Sequence, residues 1–381
     1  MELNRRFLAQ MREATELLRT SGPAAATAAI QRALQGASGA STHAEKKEPV
    51  WSPSIMRPAA LLATSRAAPH ILEIDADVEP ELDGKGRFLA ASCSNHAGTR
   101  SYKVYVPSSY EGQSLPLIVM LHGCKQDPDD FAAGTGMNAI AEQNNCFVVY
   151  PAQARAANGS NCWNWFKASD QQRDRGEPCI IADITRDVIR KYHIDPTRVY
   201  VAGLSAGGAM AAIMGATYPE LYAAVGIHSG LPVGAAHDLP SAFAAMKNGT
   251  AKAGSRSART QPIPVIVFYG DRDVTVHPEN GEQALAQCIE PNQHDVTVEE
   301  GRVPHGHAYT RTVRHDRDGR AIAEQWVVHG AGHAWSGGSR DGSYTDPKGP
   351  DAAREMMRFF QTHARADETT PLGTPRAPPV A

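Results

Sequence analysis

The stretch Val199 to Met210, VYVAGLSAGGAM, runs from apolar and β-branched residues straight into glycines and alanines packed around one serine. It contains Gly203-Leu-Ser-Ala-Gly207, a G-x-S-x-G sequence that directly follows a predicted strand and precedes a predicted small-residue helix over Ala206 to Thr217. In that context the serine sits in a sharp strand-to-helix turn, where flanking side chains would collide with the neighbouring strand and helix, and glycine removes the conflict. The N-terminus of the helix behind it offers unpaired N–H groups to a developing negative charge. Ser205 is therefore read as a nucleophile rather than as part of an ordinary glycine-rich turn.

Outward from this turn the chain alternates strands and helices. Tyr102 to Pro107 alternates as a strand, Leu115 to Leu121 and Cys146 to Tyr150 read as buried strands, and a helix over about Ile180 to Tyr192 leads through Asp195-Pro196 into the strand ahead of the serine. Further buried strands are predicted at Ala224 to His228, Pro264 to Tyr269 and Ala321 to Val328, with a closing helix over Asp351 to His363. Strands alternating with helices predict an α/β fold with a mostly parallel sheet covered on both faces.

A serine hydroxyl is a weak nucleophile at neutral pH, so it needs a base, and the base needs an acceptor that fixes its tautomer. On this scaffold the order along the chain is serine, acid, histidine. His333 lies in the glycine-rich loop Gly330-Ala-Gly-His-Ala-Trp-Ser-Gly-Gly338, after a strand and before the last helix, and suits the base better than His305, His307 or His329. The strand over Val265 to Tyr269 ends in Gly270-Asp-Arg-Asp-Val-Thr-Val276, which carries two aspartates. Asp273 fits the acid better because it sits well past the strand end, and Asp271 then stabilises the turn. The oxyanion calls for two backbone donors, for which the N–H groups of Ala206 and of Cys124, after Leu121-His122-Gly123, are placed.

Composition narrows the function classes. The 381 residues are 42% hydrophobic and 21% charged with a formal net charge of -3, which gives the chain a full-sized core and no basic face for nucleic acid. No run approaches the ~20 apolar residues of a membrane span. Arg5, Arg6, Arg12, Glu13 and Glu16 interrupt any secretory signal, so a cytoplasmic location is expected. The six cysteines form an even set that could pair in an oxidising compartment, yet they show no C-x-x-C spacing, and the reading preferred is reduced, mostly buried thiols. His305-Gly-His307 has no acid at a recognised ligand spacing, and neither a metal nor an organic cofactor is expected.

Four regions are predicted: a helical hairpin over 1–36, an Ala/Ser/Pro-rich linker over 37–79, a catalytic domain over 80–365 and a loose tail over 366–381. The N-terminal helix carries an apolar stripe flanked by arginines, which suits docking or homodimerisation better than lying on a lipid-protein surface. Trp163, Trp165 and Phe166, in NCWNWF, are placed in a loop above the C-terminal edge of the sheet beside the charged run Asp170 to Glu177. There they either grip an apolar substrate or pack the loop as a satellite core, and Trp335 is a further candidate wall.

Taken together, Leu121-His-Gly-Cys-Lys-Gln126, Asp130-Phe-Ala-Ala-Gly-Thr135, Asn161-Cys-Trp-Asn-Trp-Phe166, Gly203 to Met210 and Gly332-His-Ala-Trp-Ser-Gly-Gly338 resemble the polyhydroxybutyrate depolymerase family of esterases over about Leu89 to His363. The resemblance implies an α/β-hydrolase fold, a short-side-chain polyester such as poly(3-hydroxybutyrate) as substrate, a triad of Ser205, Asp273 and His333, and Cys124 at the oxyanion position. With no recognisable signal or separate substrate-binding domain, the chain looks like the cytoplasmic members that degrade storage granules. Feruloyl and acetyl-xylan esterases share the pattern and are the rival within enzymes. A non-catalytic granule-coat protein is the rival outside them.

Overall fold

The computed structural model describes residues 86–249, 262–289 and 295–366. The expected hairpin over 1–36, the linker over 37–79 and all but Ala366 of the expected tail lie outside these residues. In chain order the strands that build the main sheet are β1 (Arg87–Asn95), β2 (Gly98–Val106), β3 (Leu117–Leu121), β4 (Phe147–Pro151), β5 (Val199–Leu204), β6 (Ala224–His228), β7 (Val265–Gly270), β8 (Asp295–Arg302), β9 (Ala308–His315) and β10 (Ala321–Val328). They lie side by side in the order β1-β2-β4-β3-β5-β6-β7-β10-β9-β8. Neighbours from β4 through β10 pair parallel. The flanking pairs at either edge are antiparallel.

The helices are α1 (Pro128–Thr135), α2 (Met137–Gln143), α3 (Gly176–Lys191), α4 (Ala206–Thr217), α5 (Leu239–Asn248), α6 (Glu279–Cys288) and α7 (Ala352–Gln361). Strands such as β3, LIVML, are apolar at every position because both faces of the sheet are covered. Their alternate residues divide between two cores. Leu117, Val119 and Leu121 join Ile181, Ile184 and Met210 of α3 and α4. Ile118 and Met120 join Met137, Met356 and Phe360 of α2 and α7. Period-2 side-chain alternation thus puts one helical layer on each face.

A short parallel pair, β11 (Trp335–Ser336) and β12 (Thr345–Asp346), follows the main sheet. The buried strands expected from the sequence are present, and the sheet is longer than their pattern implied. β1, β8 and β9 extend it as antiparallel edges, and their half-exposed sequences carry weaker periodic signals: β8 is DVTVEEGR, exposed along nearly its whole length. What matters for chemistry is the C-terminal edge of the parallel strands. Ser205 follows β5, the Asp273 loop follows β7 and the His333 loop follows β10, so all three emerge on one side of the sheet.

Candidate active site

Ser205 occupies the turn between β5 and α4 with φ 57° and ψ -117°, a region that L-residues seldom enter and that costs about 1–3 kcal/mol. Close packing forces the turn. A Cβ on Gly203 would lie 2.4 Å from the Gly207 backbone, and one on Gly207 would lie 1.9 Å from the Leu121 carbonyl of β3. The helix and strand approach so closely that only glycine fits at both positions. Ser205 N–H donates to the His228 carbonyl at 2.8 Å, which fixes the turn to β6. Its hydroxyl does not cap α4. Ala206 is the first residue of α4, so its N–H belongs to the set that a helix leaves without an internal acceptor.

The second expected donor lies on the loop after β3. A Cβ on Gly123 would stand 3.7 Å from Ser205 Cβ, so this loop runs directly beside the serine. The His122 ring beneath it is buried. Its Nε2 accepts from Gln153 N–H at 3.1 Å, which leaves the proton on Nδ1, 2.8 Å from the Gly123 carbonyl. Burial holds this imidazole below its ordinary pKa, consistent with the neutral form. Gln126 Oε1 accepts from Gly123 N–H at 3.0 Å, which closes the loop.

Cys124 is joined to Cys162 by a disulfide across a Cα–Cα distance of 4.2 Å. This corrects the expectation of uniformly reduced thiols. Spacing alone gave no warning, since the two residues lie 38 apart in sequence and meet only through the fold. The bond excludes a Cys124 thiolate as nucleophile and ties the loop beside Ser205 to the aromatic NCWNWF segment.

The structure pairs the expected base with the favoured acid: His333 Nδ1 lies 2.7 Å from Asp273 Oδ2. The other carboxylate oxygen of Asp273 accepts from the N–H groups of Thr275 and Val276, each at 2.9 Å. Burial alone would raise the Asp273 pKa, but the His333 hydrogen bond and charge, with the two backbone donors, hold it below the ordinary carboxylate value. An ionised Asp273 keeps the imidazole proton on Nδ1 and leaves Nε2 as the basic nitrogen.

Asp271 lies elsewhere. It contacts His329 Nδ1 at 3.0 Å and accepts from Gly330 N–H at 2.7 Å, so it braces the start of the His333 loop. Of the other histidines weighed as bases, His307 contacts Asp346 at 2.8 Å.

The three tryptophans considered as substrate walls are buried, Trp163 at 0%, Trp165 at 5% and Trp335 at 1% exposure. This corrects the wall reading in favour of its alternative, loop packing. Trp163 packs on His122 with ring centroids 5.5 Å apart, and Trp335 stacks on His228 at 5.0 Å. Sequence reasoning also missed what lies under the loop. Glu177, placed within a charged run, is buried and accepts from Asn164 N–H at 2.7 Å and Asn164 Nδ2 at 2.6 Å. Gln153 Nε2 donates to it too, and Arg100 approaches at 3.5 Å. Burial pushes the Glu177 pKa up despite these donors. Nothing in the local run distinguishes this glutamate from its solvated neighbours, because the donors come from β2, from the segment after β4 and from the aromatic loop.

The family model described as Esterase PHB depolymerase matches residues 100–299. A poly(3-hydroxyalkanoate) depolymerase C of Paucimonas lemoignei is 32% identical over 283 residues, covering 70% of this chain and 65% of that protein. A poly(3-hydroxybutyrate) depolymerase of Ralstonia pickettii is 29% identical, covering 58% of this chain and 48% of that protein. A probable acetylxylan esterase A of Neosartorya fischeri is 28% identical, covering 51% of this chain and 56% of that protein. The chain thus spans between about half and two thirds of the length of these relatives.

Proposed function

We propose that this chain, which belongs to the Esterase PHB depolymerase family, is a serine hydrolase that cleaves the ester bonds of poly(3-hydroxybutyrate)-type polyesters and their oligomers. The observation that carries the reading is the 2.7 Å contact of His333 with the buried Asp273, made at the sheet edge from which the strained Ser205 turn also emerges. Ser205 Oγ adds to the ester carbonyl while His333 Nε2 accepts its proton, and the oxyanion receives the N–H groups of Ala206 and Cys124. Collapse breaks the ester C–O bond. The proton passes from His333 to the departing hydroxyl end, and the acyl group stays on Ser205. Water, deprotonated by His333, then adds to the acyl carbon; the bond between Ser205 Oγ and the acyl carbon breaks, His333 returns the proton to Oγ, and the acid product leaves and ionises to its carboxylate. Asp273 remains ionised throughout and stabilises the imidazolium.

An acetyl- or feruloyl-esterase activity is the second reading, supported by likeness to the acetylxylan esterase. One comparison separates the two: turnover of amorphous poly(3-hydroxybutyrate) granules set beside p-nitrophenyl butyrate, methyl ferulate and acetylated xylan. Polyester turnover with little release from the plant esters supports the proposal, and the reverse pattern overturns it. No turnover on any of them returns the chain to the coat-protein reading.

The location of the enzyme is part of the proposal. The Cys124–Cys162 bond supports an oxidising compartment over the cytoplasm, because cytosolic thiol pools keep such pairs reduced. Among the described residues no helix is long and apolar enough to cross a membrane. The N-terminal helices predicted from the sequence, for which docking or homodimerisation is preferred over granule association, lie outside the described residues.

A further inference from the structure

We propose that His228, the last residue of β6, is a positioning residue that holds the Ser205 turn and the His333 loop in register through its own backbone and ring. The inference rests on the functional reading above. His228 is buried. Its carbonyl accepts the Ser205 N–H at 2.8 Å. Its ring Nε2 accepts the backbone N–H of Ser336 at 3.0 Å, three residues beyond the proposed base. One residue therefore grips the nucleophile's turn on β5 and the base's loop after β10, two elements that share no strand pairing.

The ring is held against rotation as well. It stacks on Trp335 with centroids 5.0 Å apart at 26°, and on Phe268 of β7 at 5.8 Å and 13°. Because Nε2 accepts from a backbone N–H it carries no proton, so the ring proton sits on Nδ1, 3.2 Å from Ser229 Oγ. Protonating Nε2 would break the Ser336 bond and place a charge in the core close enough to His333 to feel it. Burial first, and then His333, press the His228 pKa down to about 3. The ring is thus a permanently neutral acceptor at working pH, a duty that neither a solvated histidine nor a purely apolar residue performs.

A packing role and a positioning role diverge when the acceptor and the aromatic ring are deleted separately. His228→Phe keeps a ring for the stack but leaves the Ser336 N–H without its acceptor. His228→Gln gives up the ring and can return an amide oxygen near the place of Nε2. Activity on p-nitrophenyl butyrate is expressed per active site, counted by stoichiometric labelling of Ser205 with diethyl p-nitrophenyl phosphate. The expected result is that His228→Phe loses on the order of 10- to 100-fold in kcat per labelled site with KM within about twofold, since small misplacements of reacting groups cost that much. His228→Gln is expected to recover about tenfold of the loss, although its melting temperature falls further than that of His228→Phe.

A kcat per labelled site that follows melting temperature instead, with Phe near wild type and Gln worse, overturns the proposal. Should His228→Phe not fold, His228→Met deletes the same acceptor with a flexible side chain and is read in the same way. The outcomes separate from those of the function itself. If the wild-type protein neither labels nor turns over, the esterase reading fails; if it does both and His228→Phe matches it per site, only the role of His228 fails.

Discussion

His333 Nδ1 stands 2.7 Å from Asp273 Oδ2, while Asp271, two residues earlier on the same loop, is turned to His329 and the Gly330 amide. The two aspartates therefore do different work. Replacing Asp273 with Asn presents an amide that favours the wrong imidazole tautomer, and a loss on the order of 10⁴-fold in kcat is expected. Asp271→Asn keeps one acceptor for the loop and should cost less than about tenfold, with a modest fall in melting temperature. Steady-state kinetics on p-nitrophenyl butyrate rank the two, and the opposite ranking would move the acid to Asp271.

The strained Ser205 backbone separates chemistry from stability. Both Ser205→Ala and Ser205→Gly remove the hydroxyl, and each should lower kcat at least about a thousandfold. Glycine enters the region at φ 57° without the steric cost that a Cβ carries, so the Gly variant should melt at or above the temperature of the Ala variant. A Gly variant that melts several degrees below Ala would show that the turn is not strained as described.

These contrasts mark how far the sequence was legible. The Ser205 turn could be read because a strand end meets glycines that close packing demands, Gly203 and Gly207, and the Asp273 loop starts at Gly270, where a Cβ would lie 2.2 Å from the Ala331 carbonyl; the His333 loop could be read from its place after a strand and from Gly330, whose φ of 81° favours glycine. The rest depends on partners far apart in the chain. Cys124 and Cys162 are individually unremarkable cysteines, Glu177 looks like one more surface charge, and His228 ends a strand without any local motif. Their roles come from contacts such as Ser336 to His228, 108 residues apart, which no periodicity encodes. NCWNWF was ambiguous for a related reason: an aromatic cluster reads alike whether it faces solvent or the His122 ring.

Acid should destabilise the fold through its buried neutral imidazoles. The His228 pKa is about 3 in the folded chain against an ordinary 6.5, so the unfolded chain binds the extra proton more readily. Its contribution to stability is complete above about pH 6.5 and is lost as the pH falls from there toward 3. His122 and His363, also lowered by burial, act in the same direction. Melting temperature should therefore drop between pH 7 and pH 4.5, and His228→Gln, which cannot titrate, should show a shallower drop. Parallel curves for the two proteins would count against a neutral buried His228.

Reduction tests the loop beside Ser205. Opening the Cys124–Cys162 bond frees a 38-residue separation, and a bond closing such a loop typically contributes about 2–4 kcal/mol. Treatment with a phosphine reductant should lower the melting temperature by several degrees and depress kcat more than KM, because the Cys124 amide is a proposed oxyanion donor. Thiol titration of the denatured chain should rise by two on reduction. If reduction frees two thiols with no change in kcat, the bond has no part in holding that donor.

The buried tryptophans give the last test, because the two readings of the aromatic loop predict different ratios of activity. Trp163 is fully buried against His122, the residue whose ring accepts from Gln153 and holds the Gly123 carbonyl of the loop beside Ser205. Truncating it to Ala removes packing that typically stabilises by about 3–5 kcal/mol and takes away the aromatic ring that packs on His122. Hydrolysis of p-nitrophenyl butyrate and of polyester granules should fall by similar factors, and the melting temperature should fall with them. Trp165→Ala, beside Phe166 at 5.8 Å, should behave alike with a smaller effect. A selective loss on granules, with small-ester turnover and melting temperature unchanged, would mean instead that these rings leave the core to meet the polymer.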